Sequence, residues 1–231
     1  MRRLLKNVVN DLGFDINKRR YPKRFDLIYE RNKDFTMTPK RDYCENLFLV
    51  EKMVKKIEGD IVECGVWRGG MSAGIAELLG KNRRYFLFDS FEGLPKAKEI
   101  DGEAALKWQK DPHGDFYFDN CKAEMEFANK AMANTGCEFK LIKGWFDESL
   151  PHFDDSNAIG LLRLDGDWYD SIYSSLKCLY TRVVKNGLII IDDYYSWDGC
   201  SRAVHDYLSA ISSISRIRST EQGLCYIIKQ D

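Results

Sequence analysis

Six carboxylates in this chain share one placement: each lies in, ends or closely follows a short apolar run. Asp60-Ile61-Val62-Glu63-Cys64 carries Glu63, and Arg84-Tyr85-Phe86-Leu87-Phe88-Asp89 ends on Asp89. The apolar stretch from Ala158 closes with Arg163-Leu164-Asp165-Gly166-Asp167, and the stretch from Gly187 closes with Asp192-Asp193. Carboxylates of this kind take protons, bind hydroxyls or hold hard cations. A single acid at a strand end can equally just cap the helix that follows, because Asp is a favoured cap. That bland role explains less well the set Asp165, Asp167, Asp192 and Asp193. Adjacent strands bring these four together, and like charges at close range repel unless something cationic compensates. No Lys or Arg lies between them in either motif, so a divalent cation with oxygen ligands is the expected answer.

A second feature follows the first apolar run. Gly65-x-x-x-Gly69-Gly70 is a turn in which backbone can approach a ligand at a helix N-terminus. It is neither GxGxxG nor a phosphate loop with its Lys-Ser/Thr. Asp89 lies about twenty residues further on, where an acid binds the ribose hydroxyls of a nucleoside cofactor. Turn and acid together point to a nucleoside and leave open a dinucleotide or S-adenosylmethionine.

The elements that would position these residues alternate in type. Tyr43, Leu47, Val50, Val54 and Ile57 recur at helical spacing within 41–58, and Gly59 ends that helix. Strands are expected at 60–64, 84–89, 138–142, 158–165 and 187–192, with two weaker ones at 214–218 and 224–229. Helices are expected at 71–79, 122–134, 170–184 and 201–211. Residues 95–120, with Pro95, Pro112 and Gly114, read as a long loop with at most one helical turn. Continuously apolar strands separated by helices make an α/β fold with a doubly wound parallel sheet and right-handed crossovers. Ligands bind such sheets beyond the carboxyl ends of the strands, which is where the acids fall. With no repeat or linker, one domain over 41–231 is expected, preceded by a polar, basic arm or lid over 1–40.

Composition narrows the field. The 231 residues are 44% hydrophobic and 31% charged, enough for a globular core without staples. Lys+Arg 35 against Asp+Glu 36 leaves −1, which argues against a nucleic-acid or membrane-surface partner. The seven cysteines form no CxxC pair and read as small buried hydrophobes of a reduced, cytoplasmic protein. They lack a paired His motif, so a cysteine nucleophile is not expected. Met1 to Asn7 has charge without an apolar h-region, so no signal peptide is expected, and no run is long enough to span a bilayer. His113, His152 and His205 lack ligand spacing and read as surface or packing residues. Trp108, Phe116, Tyr117 and Phe118 either stack a sugar ring or only pin the long loop.

At four of these segments the sequence resembles the macrocin-type sugar O-methyltransferases, a family dependent on S-adenosylmethionine and magnesium. The segments are Gly59–Gly70, Phe88–Pro95, Leu162–Ser171 and Ile190–Tyr194, in the right order, with Phe35-Thr36-Met37-Thr38 ahead of them. The resemblance covers roughly 35–210 and implies a Rossmann-like, mostly parallel class I methyltransferase sheet with a helical N-terminal arm. It implies that Glu63, Gly65, Val66, Arg68 and Gly69 line the methionine end of the cofactor, with Thr36 and Met37 nearby. Asp89 would hold the ribose beside Ser90, Phe91 and Gly93, and Trp145 would lie near the adenine. Asp165, Asp192 and Asp193 would bind Mg²⁺, with Asp165 also at the cofactor and the reacting centre, and Asp167 would be the general base. The sequence departs from the family at Gly166, which replaces a small hydroxyl residue, at His205-Asp206, which replaces an acidic pair, and throughout 95–120. A homo-oligomer is implied as well. The acceptor stays open between a sugar hydroxyl of a glycan or glycosylated metabolite and a phenol or catechol. An NAD-dependent oxidoreductase is the rival enzyme class, disfavoured by the missing GxGxxG, and a binding domain without chemistry is the rival outside enzymology.

Overall fold

The computed structural model describes residues 21–114, 117–153 and 158–231. Residues 1–20 of the arm expected over 1–40, and the aromatic Phe116, lie outside the described residues. Within them the arm begins as helix α1 (Lys23–Asn32), followed by a short 3₁₀ turn over Lys33–Phe35 and helix α2 (Lys40–Val54). The order continues β1 (Asp60–Cys64), α3 (Gly70–Leu79), β2 (Arg84–Asp89), α4 (Glu103–Gln109), α5 (Met125–Ala133) and β3 (Glu138–Lys143). Next come α6 (Phe146–Ser149), β4 (Ile159–Leu164), α7 (Tyr169–Leu179), β5 (Val183–Ile191), α8 (Asp198–Ala210), β6 (Ile217–Ser219) and β7 (Cys225–Ile228).

The seven strands form one sheet in the order β3-β2-β1-β4-β5-β7-β6. β1 to β5 run parallel, while β7 is antiparallel to both β5 and β6. Strand order reverses between β1 and β4, the position at which such sheets open a crevice for ligands. Side chains alternate between the two faces. Ile61, Tyr85, Leu87, Leu161 and Ile190 face the core under α1, α2, α3 and α5. Val62, Phe88, Leu162, Leu164 and Ile191 face the core under α7 and α8. Both faces are covered, which is why these strands read as unbroken apolar runs.

Several boundaries differ from the expectation: α5 starts at Met125 rather than 122, α8 at Asp198 rather than 201 and β6 at Ile217 rather than 214, and larger shifts occur elsewhere. The helix read over 170–184 ends at Leu179, and after a 3₁₀ turn the chain enters β5 at Val183. The early strand start comes with a bulge: Ile159 pairs with Val183 but Leu161 pairs with Leu188, so Val184–Gly187 bow out, with Asn186 at φ 67°. The helix read over 41–58 stops at Val54, where the Arg83 guanidinium donates to the carbonyls of Val54 at 3.1 Å and Gly59 at 2.9 Å. The loop read over 95–120 contains α4, two turns rather than one. Gln109 at its end donates to Pro95 O and Asn120 Oδ1 and accepts from the Ala97 amide, which ties the whole segment to itself. Pro95, Pro112 and Gly114 punctuate the segment's flanks and mask this helix in the sequence.

β1 and β4 approach unusually closely at their carboxyl ends. Gly65 sits at φ 88°, and a Cβ there would lie 1.8 Å from Asp165 O. Gly80, which ends α3 at φ 83°, has nothing within 4 Å of the equivalent point. Gly80→Ala should therefore cost only the strain of a side chain at φ 83° and ψ −170°, about 1–3 kcal/mol. Gly65→Ala adds a backbone overlap and is expected to cost at least about 2 kcal/mol more than that. Urea denaturation of the two variants side by side measures the difference, and equal losses would show that the close approach is unimportant.

Candidate active site

The acids converge on a cavity of about 940 Å³ at the carboxyl ends of the central strands. Its wall includes Met37, Gly65, Asp89, Ser90, Gly93, Trp145, Asp165, Asp167, Asp192 and Asp193, so ten of the residues singled out in the sequence meet there. Thr36, Glu63, Val66, Arg68, Gly69 and Phe91 are absent from that wall, and each has a visible occupation. Thr36 packs on Gly70, where a Cβ would lie 2.9 Å from Thr36 Cβ. Gly69, at φ 81°, lets α5 approach, since its Cβ would fall 2.9 Å from Ala128 Cα. Arg68 lies against the rings of Trp67 and Phe127, 4.4 and 4.6 Å from their centroids. Val66 and Phe91 are buried and donate their amides to Asp89.

Asp89 organises the glycine turn directly. Its Oδ2 accepts from the amides of Val66 at 2.7 Å and Trp67 at 2.9 Å, and its Oδ1 accepts from Phe91 N at 2.6 Å. Burial pushes this carboxyl up and the three amides pull it back down. Beside it, Ser90 Oγ donates to Gly93 O at 2.9 Å and closes the next turn.

The centre of the site is a buried cation that the spacing argument overlooked. Arg163 is 1% exposed and extends from β4 beneath the acids. Its Nη1 contacts Glu63 Oε1 and Asp165 Oδ2, each at 2.7 Å, and its Nη2 lies 2.6 Å from Asp192 Oδ1. Asn46 of α2 accepts from its Nε at 3.3 Å. The compensating charge does not lie between the acids: it comes from two residues upstream of Asp165, on the same face of the strand. Glu63 and Arg163 are register partners across β1 and β4. The available signal was an Arg inside an otherwise apolar, doubly covered strand, where an unpaired charge is scarcely tolerated. Glu63, which also accepts from Ser72 Oγ, is pushed up to about 7 by burial, with Arg163 opposing the rise.

Arg163 does not neutralise the group. It is shared among three carboxylates and, among the described residues, forms no ion pair with Asp167 or Asp193. Burial and its acidic neighbours raise Asp193 well above the ordinary range, and Asp193 Oδ2 is buried with no hydrogen-bond partner. Asp192 is pushed up to about 6 by burial, with Arg163 opposing. Asp165, Asp192 and Asp193 each offer an oxygen, and these atoms lie within 4.8 Å of one another. An orphaned carboxylate oxygen beside two further hard donors fits a hard divalent cation. Asp167 stands next to them in the left-handed region at φ 57°, pushed up to about 8 by burial and then by Asp165. Its Oδ1 accepts from Trp197 Nε1 at 2.9 Å.

Trp108 and Phe118 of the 95–120 segment also reach the cavity. Phe118 to Cys121 form one turn with four consecutive positive φ values of 45–59°. L-residues rarely adopt such a run, and Asn120 secures it by donating to Leu94 O at 2.8 Å while accepting from Leu94 N at 2.9 Å. Trp197 was missed by sequence reasoning. It has no acid–base chemistry of its own and acquires a role only by proximity. His113 and His152 are exposed, and His205, also exposed, pairs with Tyr194 Oη at 2.7 Å. The seven cysteines are free, and five are buried.

Sheet order and the placement of the cavity define the class I methyltransferase architecture. The structure of the O-methyltransferase NovP superposes with a TM-score of 0.70 at 26% identity, covering 85% of this chain and 83% of that one. The calicheamicin methyltransferase CalS11 shares the fold, with a TM-score of 0.64 at 18% identity, covering 93% of this chain and 88% of that one. A model of the Macrocin-O-methyltransferase (TylF) family matches residues 23–220, and the chain belongs to this family. Among curated relatives, the 8-demethyl-8-(2,3-dimethoxy-alpha-L-rhamnosyl)-tetracenomycin-C 4'-O-methyltransferase of Streptomyces olivaceus is 33% identical, over 71% of this chain and 62% of that protein. The Mycinamicin III 3''-O-methyltransferase of Micromonospora griseorubida is 31% identical, over 65% of this chain and 61% of that protein. The matches thus span about six tenths of these relatives' length. Among the described residues no helix is long and apolar enough to cross a membrane.

The buried ion pairs generate a prediction. Arg163→Met leaves Glu63 buried without its counter-charge, and breaking such a pair from one side costs about 3–5 kcal/mol. Adding Glu63→Gln should recover part of the loss. Chemical denaturation of the single and double variants checks both statements. A single-variant loss below about 1 kcal/mol would rule out the counter-charge role.

Proposed function

We propose that this protein is an S-adenosylmethionine-dependent O-methyltransferase that methylates a sugar hydroxyl of a glycosylated small molecule, with Mg²⁺ held by Asp165, Asp192 and Asp193. The observation that carries the reading is the cavity floor, where these three carboxylates, one with a buried orphaned oxygen, adjoin the half-buried Asp167. Family membership and the sugar-modifying relatives support the acceptor class.

When bound, S-adenosylmethionine supplies a methyl group on a positively charged sulfur and the cation supplies a Lewis acid that eases loss of a hydroxyl proton. The chain's own residues do the rest. Gly65 and the turn held by Asp89 shape the cofactor half of the cavity, with Met37, Ser90, Gly93 and Trp145 on its wall. Asp167 accepts the acceptor's proton, and its raised affinity for protons suits a base working near neutral pH. The aromatic wall at Trp108 and Phe118 borders the remaining space, where a sugar ring can lie. Excess negative charge on the floor also favours a positively charged cofactor nearby.

Two outcomes test this reading. S-adenosylhomocysteine release is measured on a panel of rhamnosyl glycosides, with catechol as the non-sugar arm. Turnover on the glycosides should be lost with EDTA and with Asp192→Ala, and should fall about 100-fold or more in Asp167→Asn. Turnover that survives both EDTA and Asp192→Ala would refute the metal assignment, and preference for catechol would refute the acceptor class. The second test is the pH dependence of cation binding. Asp192 and Asp193 hold their protons to higher pH than ordinary carboxyls, and a ligand must shed its proton before it can bind. Mg²⁺ should therefore raise the melting temperature more at pH 8 than at pH 6, and a pH-independent shift would contradict the ligand set.

A further inference from the structure

We propose that Trp197 is the positioning residue of the proton-accepting carboxylate, holding one oxygen of Asp167 so that the other is presented to the acceptor hydroxyl. This rests on the reading of Asp167 as the base. The Asp167 carboxylate receives a single hydrogen bond among the described residues, from Trp197 Nε1 to Oδ1 at 2.9 Å. Oδ2 is left for a ligand, and the residue itself lies on the cavity wall. A carboxylate on a left-handed backbone position in a Gly-Asp turn has little else to fix its torsion, so the indole N–H sets its direction.

Trp197 is itself anchored at both ends. Its amide donates to Asp193 O at 3.1 Å, so the loop that follows β5 carries a cation ligand and the base's clamp together. Its ring is wedged edge-on against Trp168 and Trp108, with centroids 5.2 and 5.9 Å away. Trp168 is 2% exposed, and its Nε1 donates to Pro95 O at 2.9 Å, which fastens the three-indole cluster to the 95–120 segment. Gly199, just beyond the clamp, admits the 3₁₀ turn at Asp101, whose Oδ1 would lie 2.3 Å from a Cβ at that position. The base is thus seated by the loop after β5 and by the 95–120 segment. Changes in that segment can alter the base's aim without touching the acids.

The test removes the donor alone. Trp197 is replaced by β-(3-benzothienyl)alanine, which keeps the bicyclic ring and puts sulfur where the N–H was, and Trp197→Phe serves as the shape-changing comparison. A hydrogen bond to a charged group is worth roughly a factor of 10 to 100, so kcat on the responsive rhamnosyl glycoside should fall by about that much in the benzothienyl protein. KM for S-adenosylmethionine and the Mg²⁺-induced melting shift should stay within about twofold, since neither ligand meets the indole N–H. A purely structural role predicts wild-type kcat in the benzothienyl protein and a loss only in Trp197→Phe, which would overturn the proposal. A crystal structure of the benzothienyl protein gives a readout independent of turnover. The Asp167 carboxylate should be rotated or disordered while the three indole positions persist, and a carboxylate within about 0.5 Å of its original place would overturn the proposal. Asp167→Asn separates the two failures. If the Asp167→Asn variant supports full turnover, the base reading falls and takes this proposal with it. If it does not, and the benzothienyl protein keeps its kcat, only the positioning role falls.

Discussion

A single buried guanidinium sets the terms for this active site. Arg163 lies beneath Glu63, Asp165 and Asp192 at 2.6–2.7 Å, out of contact with water. Removing the guanidinium would leave all three carboxylates without their counter-charge in a medium that solvates them poorly. The arrangement also divides the carboxylates by task. Oxygens facing inward are spent on Arg163, while those facing the cavity remain for ligands. Asp193 and Asp167 lie beyond the guanidinium's reach, so burial and mutual repulsion raise both, and an excess of negative charge collects on the side where a cation would enter.

This electrostatic centre depends on a steric one. β1 and β4 are neighbours only because the strand order reverses between them, and that reversal makes Glu63 the register partner of Arg163. The same closeness admits nothing larger than glycine at position 65, where the backbone of Asp165 occupies the space a Cβ would need. The glycine turn then leaves β1 along a path held by Asp89, whose carboxylate binds the amides of Val66 and Trp67. The cofactor side of the cavity and the acidic floor are therefore two consequences of one strand junction.

Much of the fold was legible in the residue pattern because its strands are covered on both faces. Such strands are continuous apolar runs, and their acids mark where they end. β1, β2 and α3 fall within a residue of expectation for that reason. The errors arose where local signals were overridden. Val183 and Val184 suit a helix end as well as a strand start, and the pairing of Val183 with Ile159 settled the choice. α4 lay among prolines and glycines, and its stability comes from Ala105 packing near Trp168 and from Gln109 bonding across the segment. The acidic set was legible for the same reason as the strands, since six acids at the ends of apolar runs must converge on one sheet edge.

The sequence by itself determined the class of fold, the edge that carries the chemistry and the residue types available there, because apolar periodicity and strand-end acids are properties of neighbouring residues. Tertiary structure alone decided which acids touch a cation already built into the protein, which oxygen is left unpartnered, and which indole holds Asp167. Those relations join residues such as Glu63 and Arg163, or Asp167 and Trp197, that are far apart in sequence or lie on different elements. Their energies depend on burial and on distances of a few ångströms, and neither is defined until the sheet has closed and the helices have covered it.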